Sequence, residues 1–163
     1  MLQDTGSRTK DKVRCYWKQG MSDKINTRDH NIEILNGLGF HKVRNTTVFQ
    51  NGDKFILSPA VSESKNGKYW FDIREVNLNR INESSLLLVR IVPDLFILEP
   101  LQALSSLFSK QVMDNRPHSG NVWGIHINMN KVSSSAFLFN IKNPDNKIAT
   151  KLLKKEEVSD GLR

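Results

Sequence analysis

Apolar residues recur every three or four positions in a few stretches of the chain and every second position in most of the rest, which predicts helices flanking a sheet. In RDHNIEILNGLGF, Ile32, Leu35 and Leu38 follow a spacing of three, and Gly37 and Gly39 supply residue types that end helices. Upstream, Val13, Tyr16 and Trp17 fall on one face of a shorter helix that Ser7 or Thr9 caps. From His41 the period changes. HKVRNTTVFQ is rich in Val and Thr and closes on Asn51-Gly52, the dipeptide most favoured in tight hairpins. DKFILSPAV returns as its partner, and YWFDIREVN, after a second turn at Asn66-Gly67, completes an expected meander of three strands.

SSLLLVRIV is apolar on both alternating faces, the mark of a central strand covered on each side, and Pro93-Asp94 bends the chain before LFILE. Pro100 suits the first turn of a helix in which Leu101, Leu104, Leu107 and Phe108 lie at helical spacing. MDNRPHSGN has the composition of an exposed loop, and VWGIHINMN and SAFLFNIK pair as a hairpin across Asn130 to Ser134. Ile148, Leu152 and Leu153 fit a short amphipathic helix near the end of the chain. Together these elements predict an α+β fold: a central mixed, largely antiparallel sheet of about six to seven strands with about two to four flanking helices. The expected organisation is a flexible basic segment over residues 1–12, one domain over 13–150 and a charged tail over 151–163.

A chain of 163 residues is the size of one domain with a real core. Twenty-four Lys and Arg against seventeen Asp and Glu give a formal net charge of +7 and a pI near 9.6, so a polyanion is the expected partner. Cys15 is the only cysteine, which excludes an intrachain disulfide and a thiolate zinc cluster. MLQDTGSRTK carries no apolar stretch of a signal peptide, and no segment reaches the roughly 18 apolar residues that span a bilayer. A cytoplasmic location without a membrane partner is the expectation.

Candidate chemistry centres on KYWFDIREVN. Residues two apart in a strand share a face, so Trp70, Asp72 and Arg74 point one way while Tyr69, Phe71 and Ile73 point the other. A metal-dependent phosphodiesterase uses carboxylates to hold Mg²⁺ on the scissile phosphate and a nearby cation to steady the developing charge. Asp53 in NGDKFIL, the Asp72-Ile73-Arg74 triplet and the helix-to-strand entry ILNGLGFHKV resemble the PD-(D/E)XK, restriction-endonuclease-like nucleases over about residues 29–110. That resemblance implies a Mg²⁺-dependent DNA endonuclease with Asp53 and Asp72 as metal ligands, Arg74 and Glu75 completing the catalytic group, and a homodimer. Arginine stands at Arg74 where that family usually has lysine, and arginine stays protonated where lysine can shift its pKa. A non-cleaving member would carry the same change. Glu75 or Lys142 can substitute for the missing lysine, and Glu63-Ser64-Lys65 is a second E-x-K beside a turn.

Phosphate contacts are expected from the basic N-terminal cluster of Arg8, Lys10, Lys12, Arg14 and Lys18, from Lys42 and Arg44 on one strand face, and from Arg116 and Lys142. Asn115, Arg116 and Asn121 are side-chain types that read base edges. Tyr69 and Phe71 read as core, and Trp70 is open between core and base stacking. His126 alternates with Gly124 and Asn128 on the face opposite Trp123 and Ile125, a polar strand face rather than a zinc site. Three functions therefore remain in play: the endonuclease, a non-catalytic DNA-binding module, and a regulatory subunit that docks through LFILEPLQALSSLF.

Overall fold

Leu35 and Phe40 determine where the first helix stops. The computed structural model describes residues 32–64, 68–91 and 94–163, and the described part of helix α1 covers residues 32–37. The N–H of Phe40 donates to the Leu35 carbonyl at 2.9 Å and that of Gly39 to the Asn36 carbonyl at 3.1 Å, a Schellman arrangement. It needs a left-handed residue, which Gly39 supplies at φ +88. Phe40 and Leu35 then bury in the same cluster. The expected helix at Val13, Tyr16 and Trp17, the basic cluster from Arg8 to Lys18, the Asn66-Gly67 turn and Pro93 lie outside the described residues.

The strands are β1 (His41–Lys42), β2 (Val48–Asn51), β3 (Lys54–Leu57), β4 (Ser62–Glu63), β5 (Tyr69–Arg74), β6 (Leu86–Ile91), β7 (Leu95–Pro100), β8 (Asp114–Arg116), β9 (Gly120–Asn130), β10 (Ser135–Asn140) and β11 (Asn143–Lys151). Helix α2 (Glu75–Leu78) follows β5, and α3 (Lys155–Leu162) follows β11. Strands β2 and β3 form the hairpin expected at Asn51-Gly52, with Asn51 opposite Lys54 and Gly52 at φ +62. Strands β9 and β10 form the second expected hairpin, with Asn130 opposite Ser135.

The fold is α+β with mixed, largely antiparallel pairing, but the strands divide into two sheets. One has five strands in the order β1-β2-β3-β6-β7; the other has six, in the order β11-β10-β9-β5-β4 with β8 also on β9. The expected meander breaks at its third strand. Parallel pairing with β6, Ile56 opposite Leu86 and Leu57 opposite Leu87, takes the free edge of β3. Strand β5 pairs instead with β9, from Tyr69 opposite Ile127 to Arg74 opposite Val122. Two half-apolar sheets can then cover each other.

Leu57, Leu87, Val89 and Ile91 of the first sheet meet Phe71, Ile73, Ile125, Ile127 and Leu138 of the second in one buried layer. On its other face the first sheet presents Phe49, Ile56 and Leu88 to Ile34 and Leu35 of α1 and Val158 of α3. Strand β6 is therefore buried from Leu87 to Ile91, as its doubly apolar pattern predicts. Leu101, Leu104 and Leu107 are also buried, yet the segment Leu101–Phe108 is a 3-10 helix, because three residues per turn align an every-third pattern on one face. The loop expected at MDNRPHSGN contains β8, paired to β9 through Asp114 opposite Val122 and Arg116 opposite Gly120.

Residues 151–163, expected as a charged tail, complete β11 and form α3. Ile148 lies in β11 rather than in a helix, and Leu153 exchanges backbone hydrogen bonds of 2.8 and 2.9 Å with Phe96 of β7. The chain thus crosses from the second sheet to the edge of the first. Glu157 accepts the Lys154 backbone N–H at 3.2 Å at the start of α3, and Val158 is fully buried.

Asn140, 1% exposed, joins the 3-10 segment to the second sheet. Its side-chain amide donates to the carbonyls of Leu107 at 2.9 Å and Val112 at 3.2 Å, and its oxygen accepts the Lys142 backbone N–H at 2.9 Å. Nearby, the Trp123 indole N–H donates to the Ser109 carbonyl at 2.9 Å. Truncating Asn140 leaves two carbonyls without their donor, so Asn140→Ala is expected to cost about 2–3 kcal/mol in urea unfolding. Asn146 makes a single exposed bond to Ser106, and Asn146→Ala should stay within about 0.5 kcal/mol of wild type. Equal losses in the two variants would show that the buried clamp has no special weight.

Candidate nucleic-acid interface

The alternation of β5 decides what faces outward. Phe71 and Ile73, 1% and 2% exposed, point at the first sheet, so Trp70, Asp72 and Arg74 point away from it. Cross-strand partners share that outer face: His126 opposite Trp70, and Gly124 opposite Asp72. The described helices and the 3-10 segment contribute their buried residues to the other faces.

Asp72 and Arg74 do not pair with each other. Asp72 Oδ2 accepts from Arg116 Nη1 at 2.7 Å, Arg116 Nε donates to Asp114 Oδ2 at 3.3 Å, and Lys142 Nζ lies 3.6 Å from Asp114 Oδ1. Lys142 also donates to the Met113 carbonyl at 3.0 Å. Asp72 stands on β5 and Arg116 on β8, so the guanidinium must cross β9 between them. It does so over Gly124: a Cβ there would lie 3.4 Å from Arg116 Nη2 and 3.6 Å from Asp72 Oδ1, leaving no space for a longer side chain.

The bond from Arg116 is the main cause holding the Asp114 carboxyl below its ordinary pKa, with Lys142 adding to it. The bond to Asp72 in turn raises Arg116. Asp72 Oδ1 is buried without a hydrogen-bond partner. Arg74 Nε donates to the Ser119 carbonyl at 3.1 Å, and Glu75 Oε1 accepts from Asn121 at 3.3 Å. Asn121 in turn accepts from Asn115 at 2.7 Å.

Of the residues singled out in the sequence, the structure gathers Asp72, Arg74, Glu75, Arg116 and Lys142 about one end of the second sheet. Asp53 is elsewhere, exposed in the β2–β3 turn, where its backbone carbonyl accepts from Asn82 at 3.2 Å. Lys42 belongs to β1, whereas Arg44 sits in the following turn and not on a shared strand face. Arg14 and Lys18 are outside the described residues. Asp53 thus belongs to a turn of the first sheet and Asp72 to a strand of the second, turned outward. Among the described residues no group of three or more His, Cys, Asp or Glu forms a metal-binding cluster.

A second feature of the outer face is a row across four strands: Trp70, His126, Phe139 and Lys147 are successive cross-strand partners. The His126 and Phe139 rings lie 5.5 Å apart at 31°, and Lys147 Nζ stands 5.8 Å from the Phe139 centroid. Phe137, two residues from Phe139 on the same face, is 44% exposed, and Ile141 is 54% exposed. Burial pushes the His126 imidazole below its ordinary 6.5; the Lys68 charge adds to the effect and Asp72 opposes it. Beside this row a cleft of about 510 Å³ is lined by residues including Glu63, Lys68, His126, Asn128 and Lys131.

The sequence pattern identified the outward side of β9 but missed Phe139, Phe137 and Asp114 as members of this surface. The alternation of SAFLFN carried the signal for the two phenylalanines. Asp114 had none, because its role depends on the β8–β9 pairing. Within LFILEPLQALSSLF, Phe96, Ile97, Leu101, Leu104 and Leu107 are buried, and Gln102, Ser105 and Phe108 line a cleft with Leu78 and Ile81. No helix among the described residues is long and apolar enough to cross a membrane. No family model, curated protein or solved structure matches the chain.

Two outcomes follow from this geometry. In urea unfolding, Asp72→Asn and Arg116→Gln should couple by about 1 kcal/mol, and the coupling should vanish in a Gly124→Leu background. Coupling that survives there would mean that the pair does not cross over Gly124. Native His126 binds its proton less tightly than the unfolded chain does, so its contribution to stability is complete above pH 6.5 and is lost as the pH falls through the lowered native value. Wild type should therefore lose stability relative to His126→Gln on acidification below pH 6.5, whereas parallel curves would contradict it.

Proposed function

We propose that this protein binds DNA without cutting it, through the outer face of its second sheet. The observation that carries this reading is the row Trp70, His126 and Phe139 bordered by Lys68, Arg74, Lys131 and Lys147, on a chain of net charge +7. Half-buried rings on a sheet face, with Phe137 exposed beside them, offer stacking surfaces to bases, and cations at the margin meet phosphates. Two of the acids near the row are engaged: Arg116 lies against Asp72 and Lys142 against Asp114, which reduces their repulsion of a polyanion.

The Mg²⁺-dependent endonuclease implied by the sequence motif requires Asp53 and Asp72 to act on one phosphate. Their separation onto two sheets, together with the Arg116 bond to Asp72, puts the binding function ahead of it.

Binding to DNA should weaken steeply with salt, with a slope of log affinity on log salt of about −0.7 to −0.9 for each phosphate contacted. Lys68→Ala and Lys147→Ala should each lower the magnitude of that slope by a little under one. Fluorescence anisotropy with labelled DNA over a salt series measures both quantities, and the absence of salt-dependent binding rejects the reading. In parallel, supercoiled plasmid incubated with Mg²⁺ should stay intact. Nicking that requires the metal and disappears in Asp72→Ala would restore the endonuclease to first place.

A further inference from the structure

The geometry points to single-stranded nucleic acid, rather than duplex, as the ligand of this face; the inference rests on the DNA-binding reading above. A duplex keeps its bases stacked within the helix and admits readers that protrude into a groove, such as a helix or a two-stranded ribbon. The outer face offers no long helix among the described residues: α1 and α3 contribute to the opposite side of the first sheet, α2 has only four residues, and the β8–β9 and β9–β10 hairpins are part of the second sheet itself. It offers instead side-chain rings on the surface of a sheet. Bases of a single strand are free to lie on such rings, whatever their sequence.

The spacing and chemistry of the row fit that ligand. Trp70 and Phe139 are separated by β9, two strand spacings or about 10 Å, with His126 between them. Phe137 extends the apolar surface toward solvent at 44% exposure. Burial lowers the His126 pKa, which favours the neutral ring near pH 7, a surface on which a base can stack without displacing a charge. Cations stand at one end of the row and along its side. Lys147 lies over Phe139 at 5.8 Å, and Lys68 and Lys131 line the cleft of about 510 Å³ beside His126. A strand crossing the face along Trp70, His126 and Phe139 therefore runs beside Lys68 and Lys131 and reaches Lys147 with its bases against the sheet. The shared chemistry of DNA and RNA strands, a base on a phosphodiester backbone, is what this face would recognise.

The test compares, for the full chain, fluorescein-labelled oligo(dT) and oligo(U) of about 12 nucleotides, a duplex of the same length and an abasic strand with the same number of phosphates. At least one single strand is expected to bind about tenfold or more tightly than both the duplex and the abasic strand, and the tighter of the two identifies the preferred sugar. Phe137→Ala/Phe139→Ala should weaken single-strand binding about tenfold while leaving duplex binding within about twofold. Since that variant removes packing, its circular dichroism and unfolding midpoint are recorded beside it. A second readout needs no truncation: in a Trp17→Phe background, the fluorescence of Trp70 should be quenched by oligo(dT) or oligo(U) but not by the abasic strand. Buried Trp123 supplies the constant background. Equal affinity for single strand and duplex, with no quenching, overturns this inference and leaves the DNA-binding function standing. Failure of every oligonucleotide to bind at low salt overturns both.

Discussion

The apolar layer shared by the two sheets is the constraint from which the rest of the molecule follows. Leu87, Val89 and Ile91 of β6 need partners on the side away from the helices, and Phe71, Ile73, Ile125 and Ile127 supply them. Fully burying a side chain of this size contributes about 1.5–3 kcal/mol, whereas an exposed ion pair contributes about 0–1 kcal/mol. The apolar contacts therefore set the facing of β5. A period of two then leaves Trp70, Asp72 and Arg74 no orientation but outward. The polar face of the second sheet is thus a consequence of its core, and the row from Trp70 to Lys147 inherits its register from the pairing of β5, β9, β10 and β11.

Much of this was legible along the chain because it is local. The Schellman end at Gly39, the hairpin at Gly52, the doubly buried β6 and the β9–β10 hairpin all depend on residues within a few positions of each other. The α+β class follows from them. What could not be read is which edge each strand takes. Strand β5 pairs with β9 some fifty residues later, and only that choice separates Asp72 from Asp53. Alternation fixes the relative facing of neighbouring residues within a strand, but it does not name the sheet to which the strand belongs.

Two further departures have the same origin in tertiary context. Leu101, Leu104 and Leu107 fit an α-helical pattern as well as a 3-10 pattern, and the anchors at the C-terminal end of the segment are distant in sequence: Asn140 holds the Leu107 carbonyl and Trp123 the Ser109 carbonyl. KIATKLL reads as amphipathic in isolation, yet β10 offers it an edge, with Leu138 opposite Ile148 and Ala136 opposite Thr150. Thr150 then donates to Glu99 of β7 at 2.6 Å, close to where the chain crosses between sheets. A short segment with weak intrinsic preference takes the structure that an available partner stabilises.

The opposed charges beside the aromatic row have their own arithmetic. Asp72 and Asp114 carry two negative charges and Arg116 and Lys142 two positive ones, so this group contributes no net charge at distances beyond its own size. At ordinary ionic strength, fields from exposed groups fade over about 8–10 Å. On the proposed reading, a polyanion is met by Lys68, Lys131 and Lys147 at the margin rather than by the ion-paired group. The Asp-x-Arg strand resembles a catalytic signature in sequence, but in three dimensions its aspartate orients an arginine across a glycine, and its arginine holds the β8–β9 turn through Ser119. On the proposed reading, the aromatic rings beside them are what the surface offers to bases, and the basic margin is what it offers to phosphates.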